Sequence, residues 1–73
     1  MLEYRTIENQ PYGVVLEFAP MVEHSSEAGF IEYGHIRNTN GGDAYAVLVD
    51  GHLVFEAFTS SVVWEKFNQL LPE

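Results

Sequence analysis

The sequence has no cysteine and only three lysine or arginine residues among its 73. The first absence excludes disulfides, the usual staple of a domain too short to bury a large core, and it fits a reducing cytosol. The second leaves Arg5, Arg37 and Lys66 against eleven acids, a formal net charge of −8. Direct binding to nucleic acid or to an anionic membrane is therefore disfavoured, because the phosphate contribution would be repulsive. Also missing is any apolar run approaching the roughly 18 residues of a membrane-spanning helix. The opening MLEYRTIENQ lacks the basic start and apolar stretch of a signal peptide. Repeats, low-complexity tracts and linker-like stretches are absent too, so a single soluble, cytoplasmic domain over residues 1–73 is expected.

Recognisable catalytic chemistry is equally scarce. His24, His35 and His52 stand far apart without the short spacing of a structural zinc site, so neither metal nor cofactor is expected. His24 beside Ser25 and Ser26 is adjacency in sequence, which supplies no triad. NTNGGDA, residues 38–44, has no lysine followed by Ser or Thr after its glycines and so lacks the phosphate-loop pattern. His52 and Glu56 share a strand face, but the default reading is surface rather than a metal cluster. No catalytic residue is assigned, and an enzyme is not expected.

What is present is a strong pattern of strands and turns. LEYRTIE alternates weakly as a first strand, QPYG supplies a type I turn, and VVLEFA returns, ending at Pro20. PMVEHSSEAG reads as an irregular connection in which Ser25 caps at most one helical turn. FIEYGHIRN is a third strand and TNGGD a turn. AYAVLVDGHLVFEAF, residues 44–58, is a hairpin in which Asp50-Gly51 makes a type I′ turn and pairs Val49 with His52. TSSVVWEKFNQLLPE then gives a helix of about three turns, with Thr59, Ser60 or Ser61 as cap and Val63, Trp64, Phe67, Leu70 and Leu71 as its apolar stripe. The fold class is α+β: a five-stranded antiparallel meander with a C-terminal helix packed on one face.

Strict alternation through the hairpin places Leu48, Leu53, Ala46, Phe55, Ala44 and Ala57 on one face. This face, with its three alanines, is the expected seat of the helix. An odd-length loop before Asp43, the favoured reading, adds Phe30, Gly34 and Ile36 to it and puts Ile31, Tyr33, His35 and Arg37 on the other, whereas an even loop reverses this. The second face then carries Tyr33, Tyr45, Val47, Val49, Val54 and Glu56, and is too apolar to be simply wet. It is a second core if the first strand pair folds across it, a dimer interface, or a docking surface for another protein with the tyrosines as anchors. Glu3, Glu8, Glu17, Glu23, Glu27 and Glu32 crowd the first half of the chain and read as an acidic surface that steers a basic partner.

In size, acidity and lack of cysteine, the chain resembles the small inhibitors encoded by phages and mobile elements, some of which mimic nucleic acid. This likeness is one of composition. It implies a non-enzymatic inhibitor or decoy of a basic nucleic-acid-handling protein, acting in the host cytoplasm. The alternative is a homodimeric accessory or structural protein joined through the second face of the 44–58 hairpin.

Overall fold

The computed structural model describes residues 3–9, 14–27, 29–38 and 42–71. Strands β1 (Arg5–Asn9), β2 (Val14–Ser26), β3 (Gly29–Asn38), β4 (Asp43–Val49) and β5 (His52–Ala57) form one antiparallel sheet in chain order, and helix α1 (Ser60–Leu70) packs on one face of it. The expected α+β meander is the fold. The QPYG turn and the centre of the TNGGD turn lie outside the described residues.

Three local features depart from simple alternation. Pro20 does not end β2: the strand runs on to Ser26, pairing with β3 down to Ser26–Gly29, so most of PMVEHSSEAG is strand rather than connection. A register shift between Pro20 and Val22 accommodates the proline, since a bulge is one of the few places in a sheet where a missing N–H is tolerated. Opposite it, Gly34 allows close approach. A Cβ at this position would collide with the Ala19 carbonyl and stand 2.9 Å from the Phe18 ring.

The β4–β5 hairpin turns at Asp50 and Gly51, whose φ angles of 53° and 84° meet the type I′ requirement, and Val49 pairs with His52 as expected. A second shift follows immediately. Leu48 faces Leu53 but Val47 faces Phe55, which leaves Val54 as the extra residue. Beyond it every side chain of β5 changes face. Phe55 and Ala57 join Val47 and Tyr45, while Glu56 moves to the side of Ala46.

This shift bears on the seat of the helix. The helix lies over β3, β4 and β5 on the face of Ile31, Tyr33, Val47, Val49, Phe55 and Ala57, with Val63 and Phe67 buried against them. It does not lie on the face of Ala44 and Ala46. One shifted residue makes the former face rich in large side chains and the latter poorer by a phenylalanine, so the apolar stripe of the helix gains more by covering the former. Thr59 occupies the expected cap position without a side-chain cap bond, and Trp64, expected within the stripe, is 42% exposed at its edge.

The other face has no helix and is buried all the same. Leu16, Phe18, Ile36, Ala46 and Leu48 form its cluster, and Ile7 from one edge strand and Leu53 from the other both pack against it. The sheet therefore coils round its own concave face, as bulged and twisted strands do. β3 takes the facing that an odd loop gives, with Ile36 paired to Ala44 and Tyr33 to Val47.

Candidate functional site

The strand ends lie at two ends of the sheet. At one lie the start of β2, the end of β3, the start of β4 and the end of β5. The concave face is open here as a hollow of about 380 Å³, lined by Leu16, Ile36, Ala44, Ala57 and Phe58, with Arg37 and Glu56 also on its wall. Phe58 follows β5 where the chain turns toward the helix on the opposite face, and no described residue covers most of it. At 84% exposure it is the most exposed large apolar side chain among the described residues. Isolated exposed apolar residues are ordinary, whereas an exposed aromatic beside an open apolar hollow is the arrangement of an interface anchor.

At the other end lie the β2–β3 and β4–β5 turns. Asp50 ties them together: its N–H donates to the Phe30 carbonyl at 2.8 Å and its Oδ1 accepts from the Phe30 N–H at 2.9 Å. Glu23 and Glu27 stand exposed on the same half of β2 and just beyond it. Each of the three cations, by contrast, is occupied. Arg5 pairs with Glu32, Arg37 donates to Glu17 at 3.2 Å and stacks 3.7 Å over the Tyr4 ring, and Lys66 lies 5.9 Å from the Phe55 ring. Each positive charge thus has a partner within the fold, although the arginine side chains are nearly half exposed.

The expected docking residues fare differently. Val47 is fully buried and Tyr33 nearly so, both beneath the helix, with Tyr33 against Trp64 and Phe67. Tyr45 and Val49 are half-buried against the same cluster. These four form the helix-facing core rather than a continuous docking face, because the bulge at Val54 turned the helix toward them. Val54 itself is 48% exposed at the bulge, and Glu56 is exposed on the opposite face. That surface is covered by the helix, an arrangement that none of the three readings gave.

The acidic set also divides. Glu3, Glu23 and Glu27 are exposed, Glu17 is half-buried with Arg37, and the Glu8 side chain lies outside those described. Glu32 is the correction: it is 1% exposed on the concave face, held by both terminal nitrogens of Arg5 at 2.9 and 2.5 Å. Bidentate pairing of this kind is how a buried carboxylate is tolerated. Phe58, which alternation places at the end of the second hairpin face, was not among the expected docking residues, because alternation says nothing of the chain reversal that leaves it exposed beside the hollow.

One further cluster lies on the convex face beside the helix. Tyr4 Oη and His35 Nδ1 are 2.6 Å apart, and His35 Nε2 is 3.5 Å from Asp43 Oδ1, a geometry that suits a Tyr4 hydroxyl donating to a histidine protonated on Nε2. The Tyr4 hydroxyl is engaged by the imidazole and its ring is covered by Arg37, so the group fastens the chain before β1 onto β3. Among the described residues, no group of three histidines or acids is placed to hold a metal ion, and no helix is long and apolar enough to cross a membrane. No family model matches the chain, and neither curated proteins nor solved structures give a match.

Proposed function

We propose that this protein is a non-enzymatic, acidic protein-binding module whose partner presents a basic surface of the kind that otherwise holds nucleic acid. The observation that carries this reading is the division of charge: Arg5, Arg37 and Lys66 each meet a partner within the fold, while Glu3, Glu23 and Glu27 are exposed, with no ion pair to them among the described residues. Outward carboxylates on a chain of net charge −8 attract a cationic surface over a Debye length of about 10 Å at 0.1 M salt. Binding then blocks the partner's nucleic-acid site by occupying it.

The test is a capture experiment from the source cell with two baits, the native protein and the Glu3→Gln, Glu23→Gln, Glu27→Gln variant. These three positions are exposed, so the variant retains the fold. The native bait should retain a basic protein that salt elutes, and the variant should retain far less of it. Equal retention by both baits would refute the reading.

A further inference from the structure

We infer that the convex face carries a one-electron relay, in which an oxidising equivalent taken up at Trp64 comes to rest on Tyr4 as a neutral tyrosyl radical. Two independent observations carry this: a continuous row of rings, and a base built at the end of the row. Trp64 is the only tryptophan of the sequence and is 42% exposed beside the sheet, where an outer-sphere oxidant reaches its indole. Its ring meets Tyr33 edge-on at 5.0 Å between centroids, Tyr33 stacks on Tyr45 at 6.3 Å, and Tyr45 meets His35 edge-on at 5.7 Å. His35 in turn meets Tyr4 at 5.7 Å. Every step lies within the roughly 4.5–7 Å of rings in contact, so an electron crosses the face from Tyr4 to Trp64 without a gap. The row exists because alternation puts Tyr33 and His35 on one side of β3, and pairing sets Tyr45 opposite His35.

The proton decides where the oxidation stops. A phenol that loses an electron becomes a strong acid, and its radical persists only if the hydroxyl proton leaves as well. Among the described residues the Tyr33 and Tyr45 hydroxyls have no hydrogen-bond partner, whereas Tyr4 Oη is 2.6 Å from His35 Nδ1. With His35 Nε2 directed at Asp43 Oδ1, 3.5 Å away, Nδ1 is the acceptor, and the imidazolium formed by proton transfer has a carboxylate beside it. Arg37 sharpens the preference. Its guanidinium lies 3.7 Å over the Tyr4 ring, where like charge disfavours a ring left as a radical cation. Electron and proton therefore leave Tyr4 together.

The oxidant gains one electron from Trp64, leaving an indole radical cation. One electron then passes from Tyr4 along the row to refill Trp64, while the Tyr4 O–H bond breaks and its proton binds to His35 Nδ1. The products are a tyrosyl radical, an imidazolium and the oxidant reduced by one electron. A diffusible enediol reductant of the ascorbate class gives one electron back to Tyr4, itself becoming a radical, and His35 returns the proton.

Flash photolysis of the purified protein with a light-generated ruthenium(III) polypyridyl oxidant tests this directly. The indole radical should decay and a tyrosyl radical rise with one shared first-order rate constant, independent of protein concentration and smaller in deuterated water. Tyr4→Phe, which keeps a ring under Arg37, should leave the indole radical without its successor. His35→Gln should slow the transfer about a hundredfold, the low end of what a positioned base contributes. Circular dichroism checks that both variants are folded, and the deuterium comparison needs only the native chain. A Tyr4→Phe chain with the native tyrosyl yield and rate, a His35→Gln chain with the native rate, or a native chain indifferent to deuterium would each overturn the inference. No basic partner is present in this experiment, so its outcome is independent of the reading under Proposed function.

Discussion

Arg5 reaches across β2 to place both terminal nitrogens on the Glu32 carboxylate, while the neighbouring Tyr4 reaches across β2 on the opposite face to His35. Two consecutive residues therefore fasten the edge strand β1 to β3, one on each side of the sheet. Phe18 lies beneath the Arg5 guanidinium at 5.4 Å, and Ala19 is fully buried beside it.

Breaking the Arg5 pair has asymmetric consequences. Arg5→Ala leaves the Glu32 carboxylate buried without its counter-charge and should cost about 3 kcal/mol, the low end for a buried pair because the guanidinium is half exposed. Glu32→Gln leaves an arginine that water can reach and should cost less. Replacing both by apolar residues, Arg5→Met with Glu32→Leu, should recover most of the loss. Urea denaturation of the three variants checks the order.

Val47 and Val54 give the sharpest contrast between core and surface. Val47→Asp forces a carboxylate beneath the helix with nothing to pair it, and should cost about 4 kcal/mol or more, enough to unfold so small a domain. Val54→Asp sits at the exposed bulge, where the new carboxylate stays hydrated, and should change stability by less than about 0.5 kcal/mol. Circular dichroism with thermal melts distinguishes the two.

These two valines also mark the limit of what was legible in the sequence. The five strands, the type I′ turn and the helix follow from local turn chemistry and alternation, and Asp50-Gly51 fixes the pairing of the last hairpin. The register of β3, by contrast, turned on the odd or even length of the loop before Asp43, which the sequence left open. The bulge at Val54 carries no local signal. It exchanges the faces of Phe55 and Glu56, and so moves the helix to the other side of the sheet. Pro20 misleads for a related reason, since a proline that ends a regular strand is tolerated at a bulge, and that bulge depends on Gly34 from a different strand. Glu32 was illegible as a buried residue because its partner lies 27 positions earlier.

Alkaline pH should destabilise the protein through Tyr33. Burial beneath Trp64 and Phe67 pushes its phenol up from the ordinary value of 10.0, with Tyr45 adding to the effect. The fold favours the neutral phenol, so the unfolded chain loses this proton first. The stabilisation is complete below pH 10 and is lost as pH rises through the elevated folded value. The hydrogen bond to Glu32 raises the Arg5 guanidinium further above its already high ordinary value, so that pair persists across this window. Tyr33→Phe should flatten the fall in stability above pH 10, measured by denaturant midpoints. An identical fall in the variant would contradict this origin.

The measurement closest to the central claim is competition for nucleic acid on the captured partner. Fluorescence anisotropy of a labelled oligonucleotide bound to that partner, titrated with this protein at increasing salt, reads displacement directly. The account predicts that the native protein releases the oligonucleotide, that release weakens as salt rises, and that the Glu3→Gln, Glu23→Gln, Glu27→Gln variant releases much less. A partner that holds both at once with unchanged affinity, or that is displaced equally well by the variant, would contradict it.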